Sequence, residues 1–343
     1  MSTVLVSGAN GFIAQHVVSQ LLEKKYKVIG TVRTDAKGQH LAKNFSTPDF
    51  QYVIVSNLSL PGGFDEVFQQ HPEIEYFLHV ASPFNFSDVD VEENLLKPAL
   101  AGTKEALSSA HKYGKNLKKL VVTSSYAAMG WTYLIDKSIP DDIYIDEDSW
   151  TDIPWDVAAK SNGFIAYVAS KAHAEREVWN FRERENPKFE LTVVNPTYVY
   201  GPQAFDSDVT EFMGETSEII NRITKLQPDE TPRRERGMCI DVRDVAGAHI
   251  IAIEKDECNG KRLLLFNASF SEQNFLNLIH KFYPEQFKNV PIGEPETTEA
   301  TLTKTFWGDI HNEKTREILK QDWYSHEQCV KDVLEQIVRV RGL

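Results

Sequence analysis

Apolar residues fall into two rhythms along the chain up to Pro196. The runs TVLVSG (Thr3 to Gly8), YKVIGTV (Tyr26 to Val32), DFQYVIVS (Asp49 to Ser56), IEYFLHVAS (Ile74 to Ser82), LKKLVVTSS (Leu117 to Ser125) and FELTVVNP (Phe189 to Pro196) are short and mostly continuous. They read as strands buried in a sheet. Between them, apolar positions recur at helical spacing, as in Phe12 to Lys24, Glu92 to Tyr113 and Asn162 to Glu185. Within the last of these, Ile165, Val168, Ala169, Ala172 and Val178 form the apolar pattern, and Glu175 with Arg176 is expected on the solvent face. Strands alternating with helices predict an α/β fold with a doubly wound parallel Rossmann sheet and right-handed crossovers.

After Pro196 the alternation breaks. A polar and then helical stretch is followed by the charged, proline-bearing loop QPDETPRRERG, a strand and helix (MCIDVRDVAGAHIIAIEK) and a further strand, Lys261 to Asn267. The remainder mixes helices with the loop VPIGEPETTEATLT. The expected partition is a sheet domain of residues 1–196 and 237–267, with 237–267 rejoining the main sheet, and a smaller, discontinuous lobe of 197–236 and 268–343. No internal repeat is visible.

Composition narrows the classes. A chain of 343 residues fits one large α/β unit or two joined domains. A net charge of −13 disfavours nucleic acid, which needs a cationic footprint. Cys239, Cys258 and Cys329 are widely spaced without a CxxC, which argues against a disulfide framework or a zinc site and suits the reducing cytoplasm. The histidines have no ligand spacing, so no metal is expected. No apolar run approaches the roughly 20 residues of a membrane span. The acidic stretch DDIYIDEDSW (Asp141 to Trp150) has no EF-hand pattern and reads as a solvated loop.

Candidate chemistry begins at VSGANGFIAQH. Gly8, Gly11 and Ala14 follow the first strand and open the first helix. Gly8 permits a tight turn, Gly11 leaves room for a pyrophosphate, and Ala14 lets the helix lie close on the sheet, with the phosphates meeting the helix N-terminus. NAD-binding sheets usually end the second strand in a carboxylate. Here the strand ends in Arg33, with Lys37 one turn on, a pair suited to the 2′-phosphate of NADPH. Asp35 is expected to cap the next helix, and plain surface cations are the alternative for Arg33 and Lys37.

The fifth strand delivers Ser124 and Ser125 to its C-terminal edge, where ligands bind in open α/β sheets. Tyr167 and Lys171 lie four residues apart on a helix and therefore stack on one face. A neighbouring ammonium would bring a phenol of pKa ~10 closer to working pH, and a serine hydroxyl can bond a carbonyl oxygen as charge develops there. YxxxK alone arises by chance in long helices; its force comes from the ordered combination with the serines and the glycine turn.

The pieces VSGANGFIAQH, YKVIGTVR, HVASPF, VVTSSYAA, AYVASK, LTVVNPTYVYGPQAFD and IDVRDVA make the chain resemble the extended short-chain dehydrogenases/reductases. More narrowly, it is similar to the fungal NADPH-dependent methylglyoxal reductase (3-methylbutanal reductase) group, relatives of dihydroflavonol reductases. The resemblance covers residues 1 to about 250 and loosens beyond. It implies Ser125 as the carbonyl-binding residue, Tyr167 as proton donor and Lys171 as its partner. It places Gly8, Asn10, Gly11, Phe12 and Ile13 on the pyrophosphate and Arg33 and Lys37 on the 2′-phosphate. Ala81, Tyr167, Lys171, Pro196 and Val199 would line the nicotinamide half, and Thr216 would approach a phosphate. Where relatives commonly carry Asp-Ile against adenine, this chain has Asn57-Leu58.

Substrate-pocket candidates are Phe84, Tyr126, Met129, Gly130, Trp131, Phe164 and Tyr198, each with core packing as its alternative. Gly130 stands where relatives often place a bulky residue, suggesting a roomier pocket. The expected function is NADPH-dependent reduction of an aldehyde, α-dicarbonyl or ketone to an alcohol. The partner is thus a small carbonyl compound, and the oligomeric state, monomer or homodimer, is left open. The rivals are a sugar-nucleotide epimerase or dehydratase and a non-catalytic dinucleotide sensor. A cinnamoyl-CoA reductase fits less well, because its NWYCY-type stretch is absent.

Overall fold

The structure is a computed structural model, described for residues 1–82, 90–139, 143–214, 216–233, 235–297 and 308–343. Its strands are β1 (Thr3–Val6), β2 (Lys27–Val32), β3 (Phe50–Ile54), β4 (Ile74–His79), β5 (Lys119–Thr123), β6 (Tyr144–Ile145), β7 (Glu190–Pro196), β8 (Tyr198–Tyr200), β9 (Arg236–Asp241), β10 (Arg262–Leu265), β11 (Ala268–Ser271) and β12 (Asp309–Ile310). Seven of them form one parallel sheet in the order β10-β7-β5-β4-β1-β2-β3. The order reverses between β1 and β4, which is where a doubly wound sheet opens a crevice at its C-terminal edge.

Alternation along the strands divides the core. Val4, Val6, Val28 and Val32 face one side, against helices α1 (Phe12–Glu23) and α8 (Val242–Glu254). Leu5, Ile29, Phe77 and Val122 face the other, against α3 (Asp65–Gln70), α4 (Lys97–Tyr113) and α6 (Gly163–Glu185). Period two in a strand makes this inevitable once both faces are covered. Helix α2 (Asp35–Phe45) packs on β2 and β3, and the short α5 (Trp155–Ala158) precedes α6. Asn162 caps α6, its Oδ1 accepting from the Ile165 N–H at 2.9 Å, and Asn186 closes it in the left-handed region at φ 43°.

The smaller lobe is built on a three-stranded sheet, β11-β9-β8, covered by α7 (Ser217–Ile223), α9 (Glu272–Phe282) and the helix His326–Arg341. The expectation that residues 237–267 rejoin the main sheet needs correction. Only β10 does so; β9 pairs with β8 and β11. The reason is local. β10 occupies the free side of β7, and the Thr197 N–H bonds Leu265 O at 3.0 Å, so β8 leaves the sheet and takes β9 with it. Helix α8, which follows β9 directly, nonetheless returns to α1 on the main sheet.

The outward edge of β10 is covered. The Leu264 N–H donates to Thr315 Oγ1 at 2.9 Å, and Asn312 Nδ2 donates to the carbonyls of Leu264 and Phe266 at 3.1 and 2.8 Å. Glu147 locks that cover in place by accepting from the Thr315 N–H and hydroxyl at 2.8 and 2.7 Å. The solvated-loop expectation for Asp141 to Trp150 is therefore wrong at Glu147, which is 6% exposed. Among the described residues no helix is long and apolar enough to cross a membrane.

Candidate active site

The glycine turn has the geometry its spacing predicts. Gly8 sits at φ +63°, where a side chain is strained, and a Cβ there would come within 2.9 Å of Ala81 Cβ. Gly11 is the N-cap of α1 and offers no side chain to its free N–H groups. The helix therefore begins, at Phe12 and Ile13, with unsatisfied donors and a positive dipole end. The Asn10 carbonyl accepts from Gln15 Nε2 at 3.1 Å, which holds the turn from below. This cradle fits a pyrophosphate.

Arg33 and Lys37 stand exposed at the end of β2 and the first turn of α2, and neither has an ion-pair partner among the described residues. Two uncompensated cations fit a 2′-phosphate. Asp35 is not the helix cap: Thr34 holds that position, and the Asp35 carboxylate accepts from the Tyr52 hydroxyl at 2.7 Å and Gln39 Nε2 at 2.6 Å. Its charge is thereby turned towards β3. Asn57 is exposed, and its Oδ1 accepts from the Ser59 N–H at 3.0 Å; Leu58 follows it, half-buried. The Ala81 N–H donates to Ser7 Oγ at 2.9 Å, fixing the end of β4 to β1.

Ser125 follows β5 in extended conformation, and its Oγ accepts from the Ala127 N–H at 3.1 Å as the chain turns. Ser125 is also hydrogen-bonded to the Tyr167 phenol. Ser124 Oγ points away and donates to Glu175, so only the second serine reaches the tyrosine. Burial raises the Tyr167 pKa, and the Ser125 hydrogen bond opposes that rise. The downward pull expected from Lys171 does not appear: burial and the Ser125 hydrogen bond are the two influences on this phenol. Lys171 itself is 8% exposed; burial lowers its pKa to about 8. Its Nζ lies 5.6 Å from the Tyr167 ring centroid and donates to Ser82 Oγ at 2.8 Å. A small cavity beneath it is lined by His79, Ser82, Thr123, Ser124, Lys171 and Glu175.

Pro196 ends β7 and Val199 lies in β8. The Thr216 hydroxyl donates to the Val199 carbonyl, so its single proton is committed to the backbone. Of the pocket candidates, Phe164 is 38% exposed and Tyr198 half-buried. The Tyr198 phenol is pushed up to about 12 by burial, with Tyr167 as a close neighbour. Tyr126, Met129 and Trp131 are buried in a cluster with Ile145, Val168 and Met238, and Trp131 packs edge-on against Phe164 at 5.2 Å. They lie in the core, behind the more exposed Phe164. Gly130 leaves no void: a Cβ there would lie 2.0 Å from Ile145 Cδ1 and 2.8 Å from the Tyr126 hydroxyl oxygen. The roomier pocket expected from Gly130 is therefore a correction, since the neighbours fill the space. Phe84 lies outside the described residues.

Sequence reasoning missed Glu175, expected on the solvent face and found 1% exposed. The signal was present, because Tyr167, Lys171 and Glu175 continue one four-residue stripe.

Known proteins align with this geometry. The yeast NADPH-dependent methylglyoxal reductase of Saccharomyces cerevisiae is 39% identical over 99% of both chains, and identity reaches 44% over 98% of both chains for a Candida albicans relative. The crystal structure of Gre2 from Candida albicans in complex with NADPH superposes with a TM-score of 0.92 at 41% identity, covering 99% of each chain. The yeast methylglyoxal/isovaleraldehyde reductase Gre2 complexed with NADPH gives 0.91 at 38% identity, again over 99% of each. The model of the NAD dependent epimerase/dehydratase family matches residues 4–265, the stretch that holds both the glycine cradle and the Ser125–Tyr167–Lys171 cluster, and the chain belongs to that family.

Proposed function

We propose that this protein is an NADPH-dependent carbonyl reductase, converting an aldehyde, α-dicarbonyl or ketone to an alcohol. The observation that carries the reading is the Ser125–Tyr167 hydrogen bond with Lys171 against the same ring, at the sheet edge where the glycine cradle opens. Bound NADPH would supply a hydride to the carbonyl carbon. Gly8, Gly11 and the first turn of α1 hold the pyrophosphate, Arg33 and Lys37 the 2′-phosphate, and Ala81, Pro196 and Val199 the nicotinamide side. Ser125 orients the substrate oxygen and bonds it as negative charge develops. Tyr167 delivers the proton to that oxygen, and its phenolate is met by the Lys171 ammonium. Phe164 and Tyr198 flank the reacting carbonyl with apolar surface, backed by Trp131 and Met129.

The cofactor-binding half is proposed as residues 1–196 with α8 and β10, and the substrate lobe as the β8–β9–β11 sheet with its helices. Three free, buried cysteines support a reducing compartment, the cytosol. The names of the relatives put methylglyoxal and isovaleraldehyde first among substrates to test.

An epimerase-type reading is favoured by the family's breadth and opposed by Arg33, which stands where a 2′-OH acceptor would be needed. The test is consumption of NADPH against NADH with a panel of aldehydes, α-dicarbonyls and aryl ketones, with chiral analysis of the products. Strict NADH use, or tightly held NAD without net turnover, would refute the proposal.

A further inference from the structure

Glu175 is a buried carboxylate that the reduction chemistry does not use directly. It lies on α6 one turn beyond Lys171 and two beyond Tyr167. Its Oε2 accepts from Ser124 Oγ at 2.6 Å and from Asn195 Nδ2 at 2.6 Å, and its Oε1 from Arg262 Nε at 2.5 Å. Asn195 Nδ2 also donates to the Ser125 carbonyl at 3.2 Å. The C-terminal ends of β5 and β7 and the start of β10 thus converge on one anion.

Arg262 is itself fixed. Its guanidinium lies 3.9 Å from the Trp150 ring centroid and donates to the carbonyls of Glu147 and Ser149. A carboxylate this deep is costly unless it is paired and hydrogen-bonded, and this one is both. Its bonds to Ser124 and Asn195 are charge-assisted, shorter and stiffer than neutral ones. The backbone on both sides of the Ser124–Ser125 peptide is therefore held by a group attached to the same helix as Tyr167.

We propose that Glu175 is a positioning residue: held by Arg262, it sets the Ser125 hydroxyl against the Tyr167 phenol through Ser124 and Asn195. This rests on the reading of Ser125 and Tyr167 as the carbonyl-binding and proton-donating pair. A misplacement of about 1 Å at a reacting group costs on the order of 100-fold in rate. Loss of the anion is therefore expected to appear in kcat and to leave cofactor binding intact.

The experiment is a double-mutant cycle on the full chain with NADPH and a reducible aldehyde. Glu175→Gln is expected to lower kcat by about 10- to 100-fold, with the Kd for NADPH, read by quenching of protein fluorescence, changed less than about twofold. In a Ser125→Ala background the same substitution is expected to change kcat less than about twofold, because the group through which it acts is gone. Full additivity of the two losses, or an unchanged kcat in Glu175→Gln with only a lowered melting temperature, overturns the proposal. An unimpaired Ser125→Ala overturns instead the reading on which it rests. If Glu175→Gln does not fold, Ser124→Ala removes one of the bonds without uncovering a charge. It is expected to lower kcat about three- to tenfold with an unchanged KM for NADPH, and a wild-type kcat there overturns the positioning role.

Discussion

Replacing Tyr167 by Phe removes one oxygen and nothing else of size. The ring keeps its neighbours Val91, Leu95 and Ala166, and Ser125 keeps its bond from the Ala127 N–H. The stability loss is then the Ser125–Tyr167 hydrogen bond, about 1 kcal/mol. The catalytic loss is larger, because a positioned general acid contributes about 10²- to 10⁴-fold. Ser125 still bonds the carbonyl oxygen, so the expected drop in kcat is about 10³-fold, or about 4 kcal/mol of barrier. NADPH oxidation followed by absorbance gives kcat, and fluorescence titration shows whether NADPH still binds. The pH profile adds a second readout. Lys171 is protonated below its depressed pKa of about 8, so wild-type activity is expected to be full below that pH and to fall as pH rises through it. The residual rate of the Tyr167→Phe variant, which forms no phenolate, is expected to lose that limb. A variant retaining more than about a tenth of wild-type kcat would refute the assignment of the proton to Tyr167, since such a loss is below the range for general acids.

Arg33→Ala is expected to raise the KM for NADPH about 10- to 100-fold, the cost of a charged hydrogen-bond partner, while leaving NADH kinetics nearly unchanged; equal losses with both cofactors would argue against a 2′-phosphate contact. Gly8→Ala forces a side chain into φ +63° and against Ala81 Cβ, so a destabilisation of roughly 1–2 kcal/mol and weaker cofactor binding are expected in melting and titration experiments. Gly130→Leu is expected to destabilise by about 1–3 kcal/mol through collision with Ile145, so that the melting temperature falls; unchanged stability with altered substrate preference would restore Gly130 as an open pocket wall. The lowered Lys171 pKa also sets a stability trend. Between about 8 and its ordinary 10.5 the unfolded chain holds the extra proton, so this group's contribution to stability rises with pH across that window, measurable by denaturant titration.

The parts legible in the sequence are those whose chemistry is local. The glycine turn, the Arg33 at a strand end and the four-residue spacing of Tyr167 and Lys171 each declare themselves within a dozen positions. What was misread depends on distant partners. Glu175 looks solvated on a helical wheel because the wheel does not show that α6 is enclosed by the sheet on one side and α4 on another. Its counter-ion, Arg262, comes from a strand formed long after the helix in the chain. Gly130 resembles an opening only until Ile145, from a short strand in a separate loop, is seen to fill it. The exchange of β9 to the second sheet follows from competition for the β7 edge, which strand patterning does not encode.

The covered flank of β10 bears on how the protein behaves in a crowded solution. An edge strand with open N–H and C=O groups is a template on which a second chain can grow. Here Thr315 and Asn312 already occupy the N–H and C=O of Leu264, with Glu147 as the latch. The same latch lends its backbone carbonyl to Arg262, so loosening it is expected to cost solubility at high concentration and to disturb the Glu175 network behind Ser125 together.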